Sequence, residues 1–395
     1  MGWSELSVFL ALALAAYWIA LLLRLQRASV RFPELTPASH VGPTEQPLPT
    51  VSLVVAVKDG EAEIEDCVRS LLGQDYPGLD ITVVDDRSSD GTRTILERLA
   101  SEASRAGRPR LRVLGVEQLP DGWGGQNHAL HLGVKSSKGQ LLCFTDADCR
   151  FDSPRTLSIA VEELLTTRAD LFSLLPSMSA PTFWEKVYLP LCSFMLLLGL
   201  RITDVNDEES DAAYANGAFL MVRRSTYDAL GGHERVRFFV NDDIRMSELA
   251  KRGGFRLRVA KGRGLCRTRM YDSVRGAYDG WTRNFLGCLE RPHKLAAASM
   301  QALCLCVLPT LGLLGAFALE RSGAHFAVTV WFAPLIVAQA GLFRLYASFD
   351  VRARWALAYF AGALFVLVIL VRATLRALLR RGTRWHGVSY PTTPA

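Results

Sequence analysis

Two aspartates flanking one alanine close an apolar run in Leu141–Arg150, LLCFTDADCR. Like charges at the end of an apolar run repel, which costs free energy unless a positive charge lies between them. On a strand, residues two apart point to the same face, so Asp146 and Asp148 would present their oxygens together. Oxygen ligands at that spacing suit a hard divalent cation, Mg2+ or Mn2+, bridging a diphosphate. More carboxylates follow two other apolar runs: Asp59 after VSLVVAV, and Asp85 and Asp86 at the end of DITVVDD. A solvated loop carries a lone Asp-x-Asp as readily as a metal site does, but repetition at several strand ends favours a cation and a nucleotide.

Those carboxylates must be held by elements, and the pattern names them. VSLVVAV (Val51–Val57), DITVVDD (Asp80–Asp86), LRVLGV (Leu111–Val116) and LLCFTDAD (Leu141–Asp148) read as strands. Between them, Glu61–Leu72, Gly91–Ala103 and Asn127–Lys135 carry apolar residues at helical spacing. Near-continuous apolar strands alternating with helices predict an α/β fold with a doubly wound, mostly parallel sheet. In such sheets ligands bind at the carboxyl ends of the strands, where the acidic residues fall. No GxxxxGK[ST] or GxGxxG follows a strand, which argues against P-loop and dinucleotide sites. His128 and His131 lie three apart on a predicted helix, but no third ligand accompanies them, and their apolar neighbours suggest packing.

The chain has 395 residues, half of them apolar, and a net charge of +6. That apolar content predicts membrane segments beside a globular domain. Leu6–Leu23 is uncharged and has no basic segment before it, so it reads as an uncleaved anchor and not a signal peptide. Arg24, Arg27 and Arg31 behind it place the following domain on the cytoplasmic side, in a bacterium at the plasma membrane. Leu295–Leu319, Ser322–Phe343 and Trp355–Val371 are further uncharged runs. Three crossings there would put Arg372, Arg376, Arg380, Arg381 and Arg384 outside, against the positive-inside rule, so one run is expected only to dip into the bilayer. Val187–Leu200 contains Pro190, is short for a span, and is expected to lie in the headgroup layer with Trp184 and Tyr188. The arginine excess beside apolar segments points to anionic headgroups and not to nucleic acid. Eight cysteines without a CxxC pair give no disulfide framework or zinc site and fit a reducing compartment. The expected division is an anchor over 1–27, a proline-rich linker over 28–50, a catalytic domain over 51–291 containing the interfacial helix 187–200, membrane helices over 292–372 and a basic tail over 373–395.

Four segments now stand in order: VVDDRSSDGT (Val83–Thr92), GWGGQNHALHLG (Gly122–Gly133) with FTDAD (Phe144–Asp148), NGAFLMVRRSTYDALGGHERVRFFVNDDIRMSELAKRGG (Asn216–Gly254), and RMYDSVRGAYDGWTRN (Arg269–Asn284). This ordered set resembles the family 2 glycosyltransferases, inverting enzymes of the GT-A fold. The resemblance extends over Val51–Arg291 and is nearest to membrane-bound members acting on lipids, such as ceramide glucosyltransferases and the hopanoid- and carotenoid-associated enzymes. There are departures. Gly125-Gln126 stands where the family often has Gly-Lys, Asp242-Asp243 where it commonly has Glu-Asp, and GWTRN where polymer-forming members carry Q-x-x-R-W.

The resemblance implies a single displacement at the anomeric carbon of a nucleotide sugar, with a UDP-sugar as the expected donor. Asp243 matches the family's base, with Asp242 the alternative; a neighbouring carboxylate would raise the pKa of one of them. An aspartate before a helix is commonly its N-cap, and Asp242 is expected to take that place. Asp146 and Asp148 would hold the Mg2+ or Mn2+. Asp59, Asp85 and Asp86 would recognise base and ribose, and Gln126, Arg283 and Trp281 would face the diphosphate beside Asp146. Trp281 reads equally well as an interfacial anchor, and His233 is placed toward the acceptor. The acceptor is expected to be a membrane lipid hydroxyl. A processive polysaccharide synthase, a polyprenyl-phosphate sugar transferase and a non-catalytic membrane scaffold are the competing readings.

Overall fold

The apolar run after Glu5 has few alternatives to a helix once water is withdrawn, because every backbone polar group must then be satisfied within the segment. In the computed structural model, which describes residues 3–29, 32–42, 47–107, 110–319, 325–385 and 388–390, this run is helix α1 (Trp3–Ser29). Residues 30–31 and 43–46 of the expected linker, 320–324 before and within the third apolar run, and 386–387 and 391–395 of the basic tail lie outside the described residues. Next come β1 (Glu34–Leu35), β2 (Val51–Val57), α2 (Ile64–Leu72), β3 (Leu79–Asp85), α3 (Thr92–Arg105), β4 (Arg110–Gly115), α4 (Gly125–Lys135) and β5 (Leu141–Asp146). Past the aspartates come β6 (Cys149–Phe151), α5 (Thr156–Thr166), β7 (Leu171–Met178), α6 (Phe183–Gly199) and β8 (Leu220–Arg223). Then follow α7 (Arg224–Leu230), the short α8 (Gly232–Arg235), α9 (Asp242–Arg252), β9 (Leu257–Thr268) and α10 (Val274–Leu289). The last apolar runs are α11 (Pro292–Ala302), joined through a π-helical turn to α12 (Leu308–Leu319), then α13 (His325–Ser348) and α14 (Tyr359–Leu378). A hairpin of β10 (Thr383–Trp385) and β11 (Val388–Tyr390) follows.

These elements form two compact units. One comprises Phe32–Ser179, Asp204–Met270 and Gly382–Ala395; the other comprises Met1–Arg31, Ala180–Thr203 and Tyr271–Arg381. The sheet unit is built around β2, whose Val51, Leu53, Val54 and Val55 are fully buried because helices cover both faces. On α2 the buried residues Ile64, Cys67, Val68, Leu71 and Leu72 fall at i, i+3, i+4, i+7 and i+8, a single stripe turned to the core. Among the described residues the sheet runs β1-β9-β7-β8-β5-β2-β3-β4, with β6 added on β9. Pairings around β2, β3, β4 and β5 are parallel, as the sequence predicts, while β8 inserts antiparallel between β5 and β7. Register lines up the acidic ends: Val57 of β2 is opposite Asp85, and Ala56 is opposite Asp146.

Two expectations change here. The segment before β2 is not a free linker, since β1 pairs in parallel with β9, and Arg155 donates to the carbonyls of Pro37 at 2.7 Å and Ser39 at 3.2 Å. An exposed sheet edge offers unpaired donors and acceptors, and two residues of this segment take them up. LLCFTDAD is also not one strand: β5 stops at Asp146, and Ala147 and Asp148 form a turn into β6.

In the helical unit, Glu5–Arg27, Pro292–Ala318, Val328–Ser348 and Ala353–Leu378 are four helical stretches long and apolar enough to cross a membrane. α1 packs on α13, and α14 packs on α6, α10 and α11. Trp18 donates its indole N–H to the Leu305 carbonyl in the π-helical turn at 2.9 Å, and Trp331 donates to Ser7 Oγ at 2.9 Å. The helix at 187–200, expected on the headgroup surface, is instead enclosed within this unit: Val187, Tyr188, Leu191, Cys192, Phe194 and Met195 are all buried. Its uncharged residues point in every direction around the helix axis, and such a helix is stable only when covered all round. Only Phe183 and Trp184 at its start remain exposed. Pro190 interrupts the hydrogen-bond ladder of this helix, and the Val187 carbonyl in the preceding turn accepts from Tyr346 Oη at 2.7 Å. Gly362 of α14 lies against the same carbonyl: a Cβ there would be 2.4 Å from Val187 O. Gly362→Ala is therefore expected to push α14 off α6, costing about 1–3 kcal/mol and lowering the melting temperature of the detergent-solubilised protein. An unchanged melting temperature would show that the approach is not tight.

Candidate active site

The carboxyl ends of β2, β3 and β5 lie side by side, so the sheet itself collects the acidic residues. β8 runs antiparallel to β5, with Phe144 opposite Leu220. The turn Asn216–Phe219 that opens β8 is thereby brought to the end of β5. Gly217 in this turn donates its N–H to Asp243 Oδ2 at 2.8 Å, and Ile244 N–H donates to Asp243 Oδ1 at 2.7 Å. Both oxygens of Asp243 are thus oriented by backbone donors. The Cβ that Gly217 lacks would sit 3.2 Å from Asp146 Oδ2 and 3.5 Å from Asp243 Oδ2, so the two carboxylates face one another across a glycine.

Asp148 completes the group. One ligand atom from each of Asp146, Asp148 and Cys149 fits within 4.8 Å of the others. The turn after β5, and not a shared strand face, brings the two aspartates together. Gln126 Nε2 donates to Asp146 Oδ1 at 3.4 Å, and the Cys149 thiol lies 3.4 Å from Asp148 Oδ1. Among the described residues no lysine, arginine or histidine pairs with Asp146, Asp148 or Asp243. Burial pushes the Asp146 carboxyl well above the usual range, and Asp148, Asp243 and Asp242 add to the rise. Burial likewise raises Asp148. Asp243 is pushed up to about 7, by burial first and then by the neighbouring Asp242 charge. Converging carboxylates with raised pKa values and no protein cation have the chemistry of a hard-cation site, and Asp146 and Asp148 fit Mg2+ or Mn2+. Cys149 does not fit as a ligand: hydrogen bonding with Cys266 and burial hold its thiol protonated.

Asp242 has a different place from the one expected. Asn241 occupies the N-cap of α9, and Asp242, in the first turn, lies 3.3 Å from His233 Nε2. His233 is 1 % exposed. Its backbone N–H donates to Tyr227 Oη at 3.0 Å, while Tyr227 Oη lies 2.9 Å from His233 Nδ1. A carboxylate only accepts, so an Nε2 proton suits the ring nitrogen facing Asp242, and in that neutral tautomer Nδ1 accepts from the Tyr227 hydroxyl. His233, expected toward the acceptor, is therefore a buried support behind the carboxylate pair. Tyr227 carried no sequence signal for this role, because the link depends on the turn at Gly231–Gly232 folding His233 back on it.

The other acidic ends are partly committed to their own loops. Asp59 is exposed and accepts from Ser89 N–H at 2.7 Å and Ser89 Oγ at 3.0 Å, which holds its carboxyl below the usual range. Asp85 accepts from Ser88 N–H at 3.1 Å. Asp86 is 3 % exposed and is clasped by Arg87, with Nε–Oδ1 2.8 Å and Nη2–Oδ2 3.1 Å. Lys58 Nζ donates to the carbonyls of Asp86 and Arg87 at 3.2 and 3.0 Å. His128 and His131 pack on Trp123, with ring centroids 5.3 and 4.9 Å away, as structural residues. Trp281 and Arg283 lie on α10 in the helical unit. Trp281 is 2 % exposed, against its expectation as an interfacial anchor, and its indole N–H has no acceptor among the described residues.

Residues 52–231 match the family model described as glycosyl transferase family 2. Beta-monoglucosyldiacylglycerol synthase of Trichormus variabilis is 33% identical over 114 residues, 28% of this chain and 23% of that protein. The 4,4'-diaponeurosporenoate glycosyltransferase of Staphylococcus haemolyticus is 20% identical over 245 residues, 60% of each chain. The chain thus spans about a quarter of the first relative and less than two thirds of the second. Among solved structures, a mannosyltransferase of Pyrobaculum calidifontis in complex with GDP-Man and Mn2+ superposes with a TM-score of 0.57 at 18% identity, covering 95% of this chain and 99% of that one. That likeness establishes a shared fold, the mostly parallel α/β sheet together with the apolar helices.

Proposed function

We propose that this chain, which carries a family 2 glycosyltransferase domain over residues 52–231, moves a sugar from a nucleoside diphosphate to a hydroxyl of a membrane lipid with inversion at the anomeric carbon. The observation that carries the reading is that Asp146 faces Asp243 across Gly217 and is grouped with Asp148 through the turn after β5, with no protein cation pairing with the three among the described residues. Asp243 would accept the acceptor hydroxyl's proton as that oxygen bonds the anomeric carbon. Attack opposite the departing diphosphate oxygen gives inversion. The backbone donors Gly217 and Ile244 hold the carboxylate in place, and Asp242, supported by His233, keeps its basicity near neutrality. Asp146 and Asp148 would hold Mg2+ or Mn2+, which when bound supplies positive charge to the leaving diphosphate. Gln126 steadies Asp146, and the Asp59, Asp85 and Asp86 strand ends bound the nucleoside side.

A UDP-sugar is the proposed donor, because carboxylates at the strand ends can accept an imide N–H; the mannosyltransferase of like fold binds GDP-Man with Mn2+. The lipid acceptor is supported by the four apolar helices and by relatives named for diacylglycerol and carotenoid-acid substrates. The catalytic unit is proposed to face the cytoplasm. The test is transfer of labelled sugar from nucleotide donors by the detergent-solubilised protein. Label is expected to enter a lipid extract only when Mn2+ or Mg2+ is present. Label entering free oligosaccharide but no lipid would overturn the acceptor.

A further inference from the structure

An isolated two-stranded hairpin is marginal in water and needs a surface to pack on. β10 and β11 find one inside the sheet unit, to which Gly382–Ala395 belongs. Their register pairs Thr383 with Tyr390 and Trp385 with Val388. Tyr390 is 4 % exposed, with the Phe238 ring 5.7 Å and the Trp385 ring 6.4 Å from its own. Its hydroxyl reaches Gly124, where a Cβ would be 2.9 Å away, and Gly124 N–H is tied to the Arg237 carbonyl at 2.6 Å. The next residue, Gly125, lies against Asp86: a Cβ there would be 2.2 Å from Asp86 Oδ2 and 3.3 Å from Arg87 Nη2. Tyr390, the start of α4 at Gly124-Gly125 and the Asp86–Arg87 pair therefore form one continuous stack at the end of β3.

We infer that the hairpin is a wall of the donor site, with Tyr390 as a positioning residue that presses the start of α4 at Gly124-Gly125 onto the Asp86–Arg87 pair. This inference rests on the donor site proposed above. It has a topological consequence that does not rest on it. Tyr390 and Gly124 touch, so both lie on one side of the membrane. Between them the chain holds three stretches able to cross, Pro292–Ala318, Val328–Ser348 and Ala353–Leu378. An odd number of crossings would put the bilayer between Tyr390 and Gly124. Either none or two of the three therefore cross, and with two crossing the third enters and leaves by the same face. The arginines at 372, 376, 380, 381 and 384 then share a side with Arg24 and Arg27, as the positive-inside rule requires.

Two measurements test this. In the first, donor kinetics are compared for the full chain, Tyr390→Phe, Tyr390→Ala and a chain stopped after Gly382. The donor KM is expected to rise about tenfold in Tyr390→Ala and in the shortened chain, the loss of one ordering contact. kcat is expected to stay within about twofold, as for an interaction made equally in ground and transition states. Tyr390→Phe, which keeps the ring, should recover part of the loss. An unchanged KM, or a fall in kcat alone, would overturn the positioning role. In the second, protease-cleavable tags are placed after Ala395 and at Gly107 and read in sealed vesicles of both orientations. The tags are expected to be cut in the same vesicles, and cutting in opposite vesicles would overturn the packing and the crossing count together. If the full chain transfers no sugar, the enzymatic reading falls by itself, and the tags alone decide the hairpin.

Discussion

Asp243→Asn should lower kcat by about a hundred- to ten-thousandfold, the contribution of a positioned general base. Donor binding should persist, because the substitution keeps the side chain's shape while removing the charge and exchanging one of the two oxygens that accept from Gly217 and Ile244 for an NH2. The direction of the pKa shift adds a second signature. Burial and Asp242 push Asp243 up to about 7, so the group is protonated and idle below that value and ionised and competent above it. Activity at saturating metal should therefore climb as pH rises through the midpoint and then level off. A bound cation beside Asp146 favours the ionised form, so loading should move the midpoint downward. Asp243→Asn should abolish that titration along with the rate. If the asparagine variant kept both the rate and the pH profile, Asp243 would not be the base, and Asp242→Asn would become the informative variant.

The second large effect is expected from Asp148→Ala. Taking one carboxylate from the pair that would hold the cation should cost about a hundred- to thousandfold in turnover, comparable to losing one stabilising contact to developing charge. The readout need not depend on turnover. Binding of Mn2+ alone, followed by titration calorimetry or by the loss of free-ion paramagnetic signal, should weaken in Asp148→Ala and remain in Asp243→Asn. Asp148 would be a ligand, whereas Asp243 has both oxygens engaged by the N–H groups of Gly217 and Ile244. Equal Mn2+ affinity in Asp148→Ala and the unaltered protein would remove the metal site.

The two results bear on different links of the same chain of cause. Asp243 owes its orientation to a turn that opens an antiparallel strand, and Asp148 owes its place to a turn that ends a parallel one. Both turns sit at the one edge of the sheet where strand ends meet. That is why the close approach of two carboxylates at Gly217, too tight for a bulkier residue to leave undisturbed, would decide whether the proposed base and the proposed cation ligands can share a substrate.

Much of this was written locally. β2, β3 and β5 are buried on both faces, and such strands must be continuously apolar, so their positions and their acidic ends could be read directly from VSLVVAV, ITVVDD and LLCFTDAD. α2 carried its stripe in its own spacing. The apolar runs likewise announced helices able to cross a membrane. β8 and β9 could not be read this way: β9 holds Lys261, Arg263 and Arg267, and such a segment becomes a strand because β7 and β1 pair with it from distant parts of the chain. The role of Asp242 was beyond reach for the same reason, since the imidazole it faces is buried by a fold-back on Tyr227. The helix at 187–200 reads as interfacial from its length, its proline and its flanking aromatics; its cover comes chiefly from α14, more than a hundred positions away, with α10, α11 and α13. Hydrophobic pattern and charge are properties of neighbours in sequence, so the carboxylates, the parallel strands and the apolar helices followed from residue order. Which carboxylates face each other across Gly217, and which ring closes on Gly124, depended on pairings between remote segments, and those exist only once the sheet has formed.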